Sequence, residues 1–287
     1  MKTIRCPECG QEYESNLPRC PLCQSQNPNP EQRNDKRFLD PLGFGWKRQL
    51  VFLLVGLAGF QILGLVISFV AELAQVNALR AQGISDSNEL REALQAYVAS
   101  AQFNGLVNFL AYGLIFTAVA LVIWKNWVQI AKVFKNPKTY LGFAFGVAIV
   151  AWNILYSMLV DKLGFSTNNG NQETVESIVS AYPVLCIFFL GIIGPFVEEM
   201  TYRVGLFGLC KRWHVAFAYV IVPLIFGFIH FDWQNITSAV EWINLPNYVI
   251  SGLLLCVAYE RFGLGASLIA HIGNNMLGII LQLIPSK

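Results

Sequence analysis

The chain has 287 residues, of which 55% are hydrophobic and 13% charged, and its net charge is +2. With a mean hydropathy of +0.49, a soluble enzyme of this size is excluded, because so few charges cannot cover its surface, and a disordered chain is excluded on the same ground. The small net charge argues against nucleic acid as a partner, which leaves an all-α polytopic membrane protein as the fold class.

Four of the seven cysteines fall within the first 23 residues, as Cys6-Pro7-Glu8-Cys9 and Cys20-Pro21-Leu22-Cys23. Two Cys-x-x-Cys knuckles supply four thiolates, enough to close a tetrahedral structural zinc site with no open position. Gly10 after the first knuckle suits a tight turn. The pattern over residues 1–26 resembles a short zinc ribbon, with Gln24 where the second knuckle often has glycine. A head this small lacks a core of its own and needs such a staple, and it suits binding a cytosolic protein partner better than chemistry. Residues 27–45 are polar and proline-bearing without an apolar period, and are expected to form a flexible linker. Cys186, Cys210 and Cys256 lie in apolar sequence and read as packing residues.

Apolar runs long enough to cross a bilayer occur at 49–71, 103–124, 139–160, 184–209, 214–231, 245–260 and 262–284. They predict about seven transmembrane helices, or eight if the region 232–261 holds an extra or re-entrant one. Between the first two runs, Asp86-x-x-Glu89 is a candidate capping box, with Leu90, Leu94, Tyr97 and Ala101 at helical spacing. A short amphipathic interfacial helix is expected there. Trp46, Trp124, Trp127 and Trp213 stand at predicted span ends, where amphipathic rings anchor in headgroups. With the N-terminus inside, cytoplasmic segments carry fifteen Lys and Arg, outer segments four, and one (Arg203) lies within a span. This bias places the N-terminus in the cytoplasm. A multi-pass protein of a bacterial plasma membrane is the expected location.

The last spans contain ionisable residues that membrane insertion disfavours by about 2.5–3.5 kcal/mol each, and these are the functional candidates. In Glu198-Glu199-Met200-Thr201-Tyr202-Arg203, Glu199 and Arg203 are four apart and share a helix face, so they can pair. Glu198 is turned away and is expected to lack such a partner, free to take a proton as a general base. His230 closes Phe226-Gly227-Phe228-Ile229-His230, and His271 and Asn275 are again four apart on one face. Asn274 adjoins Asn275, and only the spacing to His271 favours the latter. His214, beside Lys211 and Arg212, is expected to be interfacial. A straight helix from Lys211 would carry His230 about 27 Å up, towards the outer surface. For His230 to meet Glu198, the fifth span must be tilted or broken, and Pro223 offers a site.

These three groups, Glu198-Glu199…Arg203, Phe226…His230 and His271…Asn275, resemble in order the motifs of the CAAX-prenyl-protease and bacteriocin-processing (CPBP or Abi) family of membrane endopeptidases. The resemblance covers roughly residues 180–280 and divides the chain into N-terminal transmembrane helices (46–180) and a catalytic transmembrane core (181–287). It implies an intramembrane endopeptidase opening towards the cytoplasm and acting on membrane-associated, lipidated or peptide-precursor substrates. Glu198, helped by His230, would activate water; His271 and Asn275 would bind the oxyanion; Glu199, Arg203 and Phe226 would support them. Two histidines and a glutamate can also form a three-ligand zinc site, but the His-Glu-x-x-His signature is absent, so a metal-free glutamate mechanism is favoured. The competing readings are a non-catalytic scaffold or immunity-type protein using the same cavity and the zinc head, and a proton-coupled carrier. Against the carrier, the two halves show no repeat of broken helices.

Overall fold

The computed structural model describes residues 3–14, 19, 22–23, 26–27 and 42–284. Strands β1 (Thr3–Arg5) and β2 (Glu12–Glu14) pair antiparallel, with Thr3 opposite Glu14. Most of the other described residues are helical. Six helices are long and apolar enough to cross a membrane: α1 (Gly45–Ala81), α3 (Ala101–Val122), α5 (Pro137–Lys162), α7 (Pro183–Cys210), α9 (Ala239–Phe262) and α10 (Leu264–Leu283). Shorter ones are α2 (Ser87–Val98), α4 (Trp127–Lys132), α6 (Gly170–Ala181) and α8 (Val215–Phe228). The chain is an all-α polytopic membrane protein.

Local signals set the helix boundaries. Asp86 caps α2 by accepting from the backbone N–H groups of Asn88 and Glu89. Ser100 caps α3 through Phe103 N–H, and Asn169 caps α6 through Gln172 N–H. Prolines open α5 and α7, where a missing N–H costs nothing. His214 has a capping role that its neighbours in sequence did not suggest: its Nδ1 accepts from Ala216 N–H and caps α8. At the last connection the chain turns through Gly263 at φ 88°, a left-handed conformation glycine adopts without strain, so α9 leads directly into α10. The region 232–261 therefore contributes one continuous 24-residue helix, longer at its start than the apolar run suggested.

The fifth apolar segment is the exception. Helix α8 has 14 residues with Pro223 inside, about 21 Å of helix against a hydrocarbon core of about 30 Å. It ends at Phe228, two residues before His230.

The bundle is apolar both at its centre and on its outer face. Phe52, Ile115, Met200, Phe207 and Leu255 are buried at its centre, while Leu65, Phe69, Leu121 and Val147 stand outward with about 70% of their surface exposed, as a lipid-facing belt requires. All four candidate anchors, Trp46, Trp124, Trp127 and Trp213, are exposed. Helix α1 packs against the middle of α7, where a Cβ on Gly205 would come within 3.0 Å of the backbone of Gln49 and Leu53. Small residues at this crossing let the two backbones approach. At the same end, Arg212 donates to Gln49, Arg48 to Asn126, and Lys211 lies 3.5 Å from Glu260, so the basic ends of several helices meet.

Candidate active site

Helix α7 carries the acidic motif at its centre, and it is not a regular α-helix there. Phe189–Ile193 and Glu199–Phe207 are wound with i→i+5 hydrogen bonds, a local widening that recurs at functional sites. Glu199 and Arg203 are both completely buried, with Oε1 and Nη1 3.1 Å apart. Arg203 also donates to the Gly252 carbonyl at 3.4 Å and lies 4.6 Å over the ring of Phe226. The pairing expected from the four-residue spacing is thus present, and Phe226 supplies an aromatic face to the cation.

Glu198 departs from expectation. It is not without partners: Tyr112 on α3 donates to its Oε1 at 2.7 Å, and His271 Nε2 lies 3.5 Å from its Oε2. The spacing argument considered only the residue's own helix, whereas both partners come from other helices. The other nitrogen of His271, Nδ1, lies 2.9 Å from Glu199 Oε1. One imidazole therefore bridges the two consecutive glutamates. Because an ionised carboxylate only accepts, Nδ1 carries a proton.

His230 follows the end of α8. Its Nδ1 lies 2.8 Å from the Phe226 carbonyl, an acceptor only, so this nitrogen donates and the neutral ring keeps its lone pair on Nε2. The ring stacks on Tyr248 at 4.7 Å and 13°. Tyr248 donates to Asn169, and Asn169 donates to the His230 carbonyl at 3.1 Å and to Glu241 at 3.3 Å. The buried Glu241 also accepts from the backbone N–H groups of Gly170 and Asp232. Tyr112, Tyr248, Asn169 and Glu241 were missed from sequence. Glu241 alone left a signal, a carboxylate just ahead of an apolar run; the others are ordinary residues whose roles depend on what faces them.

Glu198, His230, His271 and Asn275, brought from α7, the end of α8 and α10, line one cavity of about 290 Å³, together with Tyr112 and Tyr248. Asn275 donates to the Leu190 carbonyl at 3.0 Å, and Asn274 lines the same cavity beside it. A groove of about 710 Å³ shares His230 and Asn108 with the cavity and is bordered by Leu94 and Val98 of α2. The amphipathic helix expected to be interfacial thus flanks the approach to the site.

In the head, the ligand atoms of Cys6, Cys9 and Cys23 lie within 4.8 Å of one another, with Cys6 and Cys23 Sγ 3.5 Å apart. Thiolates around a tetrahedral zinc at about 2.3 Å stand roughly 3.8 Å apart, so this spacing fits a metal and is far too long for a disulfide. Gly10, at φ 73°, donates to the Cys6 carbonyl and turns the knuckle as expected. Cys20, the fourth candidate ligand, and most of the 27–45 linker lie outside the described residues.

Comparison with known proteins gives a family model and several relatives. Residues 180–277 match the family model described as type II CAAX prenyl endopeptidase Rce1-like. The chain is 29% identical over 175 residues to the membrane-embedded CAAX protease MroQ of Staphylococcus aureus, covering 56% of this chain and 66% of that one. It is 26% identical over 145 residues to the putative membrane peptidase YdiL of Bacillus subtilis, 50% of this chain and 55% of that one. It is also 28% identical over 155 residues to the UPF0177 protein YxdF of Lactococcus lactis, 54% of this chain and 78% of that one. No solved structure matches. Family model and relatives together point to a membrane peptidase.

Proposed function

We propose that the chain is an intramembrane endopeptidase in which Glu198 and His230 activate water and His271 and Asn275 stabilise the oxyanion. The observation that carries this reading is the convergence of these four side chains on one cavity. Glu198 accepts a proton from water, and the lone pair on His230 Nε2 holds the same water by its second hydrogen. The oxygen adds to the peptide carbonyl carbon, the C–N bond breaks, and the proton passes from Glu198 to the leaving amine. Glu199 orients His271 through Nδ1, leaving Nε2 facing the reacting groups, and the amide N–H of Asn275 not spent on Leu190 is the second oxyanion donor. Two carboxylates and one guanidinium in a buried cluster leave one negative charge, which one further proton on His271 Nε2 neutralises, keeping Glu198 ionised as the base and giving Nε2 the hydrogen an oxyanion needs. The tyrosine hydroxyl of Tyr112 fixes the carboxylate from the opposite side.

The test is cleavage of a membrane-associated peptide by purified protein in lipid nanodiscs. Glu198→Gln should abolish turnover while melting like the parent; undiminished turnover in a folded variant overturns the assignment.

The Lys and Arg bias favours a cytoplasmic N-terminus in a bacterial plasma membrane. The cysteine knuckles would hold a structural zinc through Cys6, Cys9, Cys20 and Cys23. That ion would staple the head, which would serve as a docking module for a cytosolic protein.

A further inference from the structure

The catalytic assignment uses four residues of the cavity and leaves most of its wall unexplained. Eight of the lining residues are asparagine or glutamine, and among the described residues no Lys, Arg or Asp joins Glu198 there. Part of this wall is a directional chain. Ser251 Oγ donates to Asn153 Oδ1 at 3.2 Å, Asn153 Nδ2 to Asn274 Oδ1 at 3.2 Å, and Asn274 Nδ2 to Asn275 Oδ1 at 3.3 Å. Asn275 then donates to Leu190. A carboxamide offers two N–H donors and two lone pairs, so the chain uses one of each on Asn153, Asn274 and Asn275, and leaves one of each. Fastening α5, α9 and α10 together accounts for the bonds that are made. It does not account for Asn247 Oδ1 and Gln282 Oε1, which are buried in the same wall and accept from no group among the described residues.

A wall that alternates N–H and C=O groups without net charge complements an occupant that does the same. The main chain of an extended peptide has this property, presenting donors and acceptors every 3.2–3.4 Å. A hydrocarbon tail does not, and each buried amide group it left unpaired would weaken binding by about tenfold or more. Resting on the peptidase reading above, we infer that Asn153, Asn274, Asn247 and Gln282 form a subsite for the main chain of an extended, uncharged and unlipidated peptide segment, any lipid on the substrate remaining outside the cavity. The groove beside α2 gives such a segment its way in.

The experiment measures binding on Glu198→Gln protein in nanodiscs, so that nothing is turned over. The probe is a fluorescent decapeptide of Gly, Ala, Ser and Val with one central Cys, used plain, S-farnesylated, and with its central amides N-methylated, with empty nanodiscs subtracted. The plain peptide is expected to bind, N-methylation to weaken it by about tenfold per lost donor, and Asn153→Leu or Gln282→Leu to weaken it similarly. Equal binding of the N-methylated peptide, no binding of the plain one, or binding that depends on the farnesyl group overturns the inference. The N-methyl arm alters only the ligand, so it decides even if the leucine variants misfold. Wild-type turnover separates the two proposals: a plain peptide bound in the cavity but never cut sinks the peptidase reading alone, whereas cleavage restricted to the farnesylated peptide sinks this one alone.

Discussion

Removing Arg203 tests whether the buried ion pair, rather than packing, holds the acidic motif. Both partners are completely buried, so solvent does not screen them, and Arg203→Met would leave Glu199 as an uncompensated carboxylate in the bundle. Breaking a buried pair from one side costs about 3–5 kcal/mol. Arg203→Met also gives up the contact with the Gly252 carbonyl and the Phe226 ring. The double variant Glu199→Gln/Arg203→Met removes both charges, and the amide oxygen can still accept from His271. Its loss should fall short of the sum of the two single losses by about 2 kcal/mol, a favourable coupling of the size close pairs show. Unfolding by SDS in mixed micelles, followed by tryptophan fluorescence, would give the three stabilities relative to the parent. A loss below about 1 kcal/mol for Arg203→Met, or a double variant as unstable as the sum of the singles, would refute the reasoning and leave Arg203 as a packing residue.

Tyr112→Phe removes one charge-assisted hydrogen bond of 2.7 Å from Glu198 without changing shape; kcat for peptide cleavage should fall about tenfold or more, with the melting temperature nearly unchanged. Cys9→Ser should cut the zinc bound by the purified full chain, read by atomic emission, while cleavage of a short peptide in detergent persists. Gly142→Ala would press a methyl group into the Ala266 carbonyl where α5 crosses α10. This overpacking should destabilise the protein by about 1–3 kcal/mol in the same SDS titration, and an unchanged midpoint would show that the two helices can separate freely.

The long spans were legible because membrane insertion demands uninterrupted apolar runs, and α1, α3, α5, α7 and α10 lie where those runs do. Their ends were less so: α1 continues to Ala81 through Glu72 and Arg80, since outside the hydrocarbon core a helix no longer needs apolar residues. The acidic pair was legible because Glu199 and Arg203 interact within one helix. The partners of Glu198 were not, because Tyr112 precedes it by 86 positions on a helix with no Asp, Glu, Lys, Arg or His. For the same reason the carboxamide wall was invisible. Asn153, Asn247 and Gln282 are each unremarkable in sequence, and only the packing of α5, α9 and α10 places them around one space.

The feature the site most depends on was legible only as a need: the fifth span had to tilt or break, and it does so not at Pro223, which stays inside the helix, but after Phe228. A helix running on from Phe228 would carry His230 past the depth of Glu198, so α8 stops short. Stopping inside a bilayer frees backbone groups that lipid cannot satisfy, and irregular backbone persists at that depth only where protein takes over their hydrogen bonds. Glu241 and Asn169 do so here: the carboxylate accepts from Asp232 and Gly170, and the carboxamide donates to the carbonyl of His230 itself. Tyr248 ties this clamp to the stacked imidazole. The buried acid at the start of α9 therefore has a physical reason to be there without touching the cavity, since it makes tolerable the helix break that lets a histidine and a glutamate from different segments face the same space.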